Sequence, residues 1–129
     1  MLDMIKQEIQ GTHKLISIEQ VARYADASGD HNPLHLDEAY AAGTMFGKRI
    51  AHGMLILSSI AEIMYESFPM EWNDSGSLNV KFRAPVFLGD EIAASAELKS
   101  NDGSIIVYSV KVVKQDGLEV ITGEATLNI

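Results

Sequence analysis

Residues 53–68 form the most constraining segment of the chain, because the early run Met54-Leu55-Ile56-Leu57 and then Ile60-Ala61 are apolar on almost every side of a helical wheel. A helix of that kind is expected to be buried all round. A chain of 129 residues is the size of one core, since single domains commonly run to ~100 to 150 residues. The whole span 1–129 is therefore read as one domain, with too few other helices to enclose this one. Something broad has to wrap it.

The second half of the chain supplies strands. Leu78, Val80 and Phe82 alternate with Asn79, Lys81 and Arg83, and Ile92, Ala94, Ala96 and Leu98 repeat the period of two that marks a half-buried strand. Asp102-Gly103 and Asp116-Gly117 are hairpin turn signals between β-rich runs, so consecutive antiparallel strands follow. Pro85 and then Gly89-Asp90 end the first strand and turn the chain. An additional strand is expected within 9–16. The class is α+β: one buried helix against a curved antiparallel sheet.

The first half is helical with loops. Ser17 and Gln20 have capping-box spacing, and Ile18, Val21, Ala22 and Ala25 share one helical face, which predicts a helix over 18–27. Asp37 is suited to cap a second short helix ending at Ala42, before Gly43. The stretch Ser28-Gly29-Asp30-His31-Asn32-Pro33-Leu34-His35 between them reads as loop.

Composition excludes several function classes. Eighteen Asp and Glu against ten Lys and Arg leave a net charge of −8, which argues against a nucleic-acid surface. With no cysteine, disulfides, thiolate zinc sites and a cysteine nucleophile all drop out. The opening residues Met1 to Glu8 lack a basic stretch followed by an apolar one, and no apolar run approaches the ~18 residues of a membrane span. A soluble, cytoplasmic protein with no membrane partner is expected.

Gly29-Asp30-His31-Asn32-Pro33-Leu34-His35 is the densest polar cluster, and three readings of it stay open. It can simply be a turn. It can bind metal, as His31 and His35 have the i, i+4 spacing of zinc pairs, but Pro33 disfavours helical backbone at Asn32 and no third ligand is obvious beyond Asp30 or Asp37. It can be an acid/base pair, because a rigid proline turn is able to hold Asp30 and His35 about one water apart.

Ala51-His52-Gly53-Met54 lies at the entry of the buried helix, with no Ser, Thr, Asp or Asn immediately before it. Its first amides want an acceptor. Glycine there allows a ligand to approach the backbone, so the Gly53 amide suits an oxyanion hole; equally, Gly53 can serve close packing and His52 can cap its own helix. Ser58 and Ser59 are suited to bond a carbonyl of the preceding turn. The local cations are Lys48, Arg49, Lys81 and Arg83, either solvated edges or partners for ligand phosphates.

Together, the stretch 24–35 ending in Gly-Asp-His-Asn-Pro-Leu-His and the later Ala51-His52-Gly53-Met54-Leu55 resemble the MaoC-like hydratase family, closest to the bacterial (R)-specific enoyl-CoA hydratases. Lys81-Phe82-Arg83-Ala84-Pro85-Val86, Gly89-Asp90-Glu91 and Thr122-Gly123-Glu124-Ala125 extend the likeness over most of the chain. The resemblance implies a hot-dog fold and a homodimer or higher assembly. It implies that Asp30 and His35 activate water, that the Gly53 amide polarises a thioester carbonyl, that Asn32 supports the loop and that Ser58 is a site serine. The implied reaction is reversible syn hydration of a trans-2-enoyl-CoA to an (R)-3-hydroxyacyl-CoA, without metal or other cofactor. Three alternatives stand beside it. One is a 3-hydroxyacyl dehydratase acting on acyl carrier protein thioesters, another a hot-dog thioesterase using Glu62, and the third an acyl-CoA binding module without catalysis.

Overall fold

The computed structural model describes residues 5–129. Met1 to Met4, on which part of the reading of the N-terminus rests, lie outside them. The elements run β1 (Glu8–Gln10), β2 (Lys14–Leu15), α1 (Ile18–Ser28), α2 (Pro33–Leu36), α3 (Glu38–Ala42), α4 (Gly53–Ser67), α5 (Pro69–Ser75), β3 (Ser77–Phe82), β4 (Glu91–Asn101), β5 (Ile105–Lys114) and β6 (Glu119–Asn128).

One antiparallel sheet is ordered β1-β4-β5-β6-β3, with β2 also pairing to β4. Both Asp-Gly signals make the expected hairpins, joining β4 to β5 and β5 to β6. The sheet's inner face and α4 bury Ile56, Ile60, Ile63 and Met64 against Ala94, Ile106, Tyr108, Val110, Val112 and Leu127. Each such fully buried aliphatic side chain contributes about 2 kcal/mol. A sheet curled over a central helix is the hot-dog arrangement.

Four expectations change. The strand within 9–16 is two short strands, interrupted where the Gly11 amide bonds the Ala94 carbonyl at 2.8 Å. The loop 28–35 contains the first part of α2, for which Asn32 acts as cap and Pro33 occupies the first turn, where a missing N–H goes unneeded. Helix α5 was not anticipated; Phe68 closes α4 and opens α5, whose first residue is Pro69. Most consequentially, α4 is not buried all round: Gly53, Met54, Ser58, Glu62 and Tyr65 form an exposed stripe opposite the sheet.

Register explains one further irregularity. Val112 pairs Ile121 but Val113 pairs Glu119, so Val120 is an extra residue in β6. That bulge breaks the alternation and buries Val120 and Ile121 in succession. No described helix is long and apolar enough to cross a membrane.

Candidate active site

Helix α1 begins as its capping residue predicts, with Ser17 Oγ accepting the Gln20 amide at 3.1 Å. It ends at Gly29, whose φ of 80° is a left-handed conformation that a side chain would resist. The chain then enters a ladder of short side-chain-to-amide turns. Asp30 N donates to Ser28 Oγ (3.1 Å), Asn32 N to Asp30 Oδ1 (3.2 Å) and Leu34 N to Asn32 Oδ1 (3.0 Å). These bonds spend Ser, Asp and Asn on local backbone donors, the chemistry that favours them in turns. The outcome is a fixed lead-in that leaves Asp30 exposed and buries His35 within α2.

The partner of His35 comes from the approach to α4. His35 Nδ1 lies 2.7 Å from the Ile50 carbonyl oxygen. A carbonyl can only accept, so Nδ1 carries the proton and Nε2 of the neutral ring keeps its lone pair. His52 Nε2 lies 3.0 Å from the main-chain carbonyl of Asp30, and by the same reasoning donates to it. The two imidazoles stack with centroids 3.9 Å apart and planes at 29°, and Tyr24 of α1 packs on His52 at 4.8 Å. Asp30, His35 and His52 each offer one ligating atom within 4.8 Å of the others. That separation fits a carboxylate and an imidazole sharing one water.

His31 is not part of this group. Its Nε2 meets Asp26 at 3.0 Å out in solvent, and that hydrogen bond raises its pKa above the ordinary histidine value. The His31/His35 zinc spacing therefore fails geometrically, and His52 takes the place beside His35. Asp30, His35 and His52 are still a donor set for a divalent cation, yet the two rings lie face to face rather than converging edge-on, and one N–H of each is committed to a carbonyl.

Helix α4 starts next to these groups. His52 is its N-cap residue, but its side chain caps nothing, and the amides of Gly53 and Met54 have no partner among the described residues. They face the partial positive end of the helix dipole outward. A Cβ on residue 53 would meet the Phe82 ring at 3.0 to 3.6 Å, so glycine lets that ring lie close to the helix start. Beside it opens a groove of about 330 Å³, walled chiefly by Phe46, Ile50, Phe82, Val120 and Ile121. The Val120 bulge thus places two consecutive apolar side chains in its lining. Chemically, the arrangement sets a carboxylate and an imidazole near free helix-entry amides, donors of the kind that can stabilise an oxyanion.

The remaining sequence candidates are dispersed. Ser58 is exposed on α4 with its Oγ donating to the Leu55 carbonyl at 2.6 Å, and buried Ser59 bonds Ile56 likewise at 2.7 Å; both carbonyls lie three residues back. Arg83 borders the groove and bonds Thr122 Oγ1 at 2.5 Å, while Lys81 stands exposed in β3. Lys48 and Arg49 line a separate depression of about 310 Å³; Lys48 Nζ sits 4.5 Å over the Phe87 ring and Arg49 bonds the Leu36 carbonyl. Lys114, not singled out from sequence, also approaches Phe87 and pairs with Asp90 at 2.9 Å.

A hot-dog domain with a carboxylate, an imidazole and unpaired helix-entry amides in one place has the parts of an enzyme that moves water on and off a substrate. The chain belongs to the MaoC-like domain family, whose model matches residues 3–121. It is 35% identical over 118 residues to an (R)-specific enoyl-CoA hydratase of Aeromonas caviae, covering 90% of this chain and 88% of that protein. It is 39% identical over 118 residues to a mitochondrial 3-hydroxyacyl-[acyl-carrier-protein] dehydratase of Arabidopsis thaliana, covering 88% and 70%. The solved (R)-hydratase from A. caviae superposes with a TM-score of 0.84 at 32% identity, covering 97% and 96% of the two chains. This protein is an enzyme of the hydro-lyase class.

Proposed function

We propose that the chain is an (R)-specific enoyl-CoA hydratase, adding water reversibly and syn across a trans-2-enoyl thioester to give the (R)-3-hydroxyacyl thioester. The observation that carries this reading is the convergence of the Asp30 carboxylate on His35, whose ring is held by Ile50 with Nε2 left as acceptor. Water sits between the two groups. One of them takes a proton from it as its oxygen bonds the β-carbon, and that same proton is then handed to the α-carbon, so the water is added whole and both groups return to their starting state. The Gly53 amide receives the charge that builds on the thioester oxygen, a contribution of about 3 to 4 kcal/mol for one well-placed donor. Asn32 keeps its supporting role through its bond to the Leu34 amide, and Ser58 closes a helical turn.

The likeness to an enoyl-CoA hydratase over nearly the full length of both chains supports coenzyme A as carrier, with the acyl carrier protein dehydratase as second reading. Glu62, the carboxylate a thioesterase would need, is engaged with Lys14 at 2.5 Å. The exposed stripe of α4 and the open edge at β3 support a homodimer or higher assembly.

The test mixes the protein with crotonyl-CoA, follows loss of the conjugated enoyl absorbance and determines product chirality. Wild-type protein inactive across chain lengths would overturn the proposal. Asp30→Asn and His35→Ala are each expected to lower turnover ~100-fold or more with folding intact. An unchanged rate in either variant removes that residue from the mechanism.

A further inference from the structure

Two main-chain segments of the site are joined reciprocally. From the loop, His35 donates to the carbonyl of Ile50; from the entry of α4, His52 donates to the carbonyl of Asp30. Each segment's histidine therefore holds the other segment's backbone, and the stacked rings fill the space between them. His52 is 2% exposed, and its second nitrogen, Nδ1, is buried with no partner. The N–H is therefore placed at Nε2, where the Asp30 carbonyl accepts it.

We propose that His52 is a positioning residue whose Nε2–H bond to the Asp30 carbonyl, with its stacking on His35, sets the spacing between the acid/base partners. It touches no reacting atom. Its contribution is to fix where the Asp30 carboxylate starts from, because that residue is otherwise exposed and held only by the short turns of its own loop. A group acting this way changes the orientation of the pair and leaves substrate affinity alone, so its loss falls on kcat.

The inference rests on the hydratase reading for its kinetic arm and is independent of it for its spectroscopic arm. His52→Phe keeps a stacking ring and removes the donor; His52→Gln keeps an N–H of similar reach and removes the ring. With crotonyl-CoA, His52→Phe is expected to lose about tenfold or more in kcat, the equivalent of one positioning hydrogen bond, at unchanged KM. His52→Gln is expected to recover part of that loss. A kcat for His52→Phe within twofold of wild type overturns the proposal, and so does a His52→Gln that is no better than His52→Phe, since the loss would then belong to packing. The second arm uses a chain in which the exposed His13 and His31 are replaced by glutamine, leaving two imidazoles for ¹⁵N NMR. Those two rings are expected in opposite neutral tautomers, one Nδ1–H and one Nε2–H. Two rings in the same tautomer, or in averaged mixtures, overturn the reciprocal clasp whether or not the protein turns over any enoyl thioester.

Discussion

Replacing Gly123 by alanine strikes the joint between the sheet and the site. Gly123 lies in β6 opposite Val80 of β3, with Val110 of β5 on its other side. A Cβ there would fall 2.2 Å from the Asn79 carbonyl oxygen, 2.6 Å from Val80 Cα and 2.9 Å from Val80 Cγ1. Carbon and carbonyl oxygen approach to only about 3.3 Å, so β3 has to retreat by about 1 Å. A ladder bond of ordinary length stretched by about 1 Å no longer counts as one. Losing about two such bonds at ~1 kcal/mol each, with ~1 to 3 kcal/mol of overpacking, gives a loss of about 3 to 5 kcal/mol. For a chain of this size that lowers Tm by about 11 to 18 °C. Urea denaturation at neutral pH measures the free energy and a thermal scan the Tm. A variant melting within ~3 °C of wild type would refute the reasoning, because the close approach of β3 would then cost nothing.

Three further outcomes follow from local geometry. Tyr108 is fully buried and its hydroxyl donates to the Lys6 carbonyl at 2.7 Å, so Tyr108→Phe should cost about 1 kcal/mol in urea denaturation with turnover unchanged. Burial alone would raise the pKa of Asp90, but hydrogen bonds from Gln115, Lys114 and the Phe87 amide outweigh it and hold the carboxyl below its ordinary value. Its stabilising effect is therefore present above the unfolded carboxylate pKa and lost as pH falls through the lower folded value. Asp90→Asn should be about 2 kcal/mol less stable at neutral pH and converge on wild type in acid, as urea curves across pH would show. Arg83→Ala should raise KM for a CoA thioester by about threefold to tenfold at low ionic strength, with the difference shrinking in high salt; a salt-independent effect would remove Arg83 from phosphate contact.

Much of this molecule was legible because its signals are local. The Ser17 cap, the Asp-Gly hairpins and the apolar start of α4 each act within a few residues, and each appears where its pattern placed it. The nearness of Asp30 and His35 was legible for the same reason, since one proline turn carries both. His52 was read from sequence only as a residue of the helix entry, suited to cap it, because its relation to His35 depends on two main-chain carbonyls brought together by tertiary packing. The exposed stripe of α4 was missed because an apolar wheel cannot show which side the sheet leaves uncovered. Pro69 was the available sign of α5, a proline suited to a first helical turn directly after Phe68. The Val120 bulge has no sequence signature, since Val-Ile reads equally as two alternating positions.

The groove beside Gly53 draws its lining from distant stretches of chain, with Phe46 and Ile50 from the first half but Phe82 from β3 and Val120 and Ile121 from β6, whereas Asp30, His35 and His52 all lie in the first half. One wall of the groove is thus carried by strands that hold none of Asp30, His35 and His52. Substitution in those strands can reshape that wall while the segment carrying Asp30, His35 and His52 stays untouched.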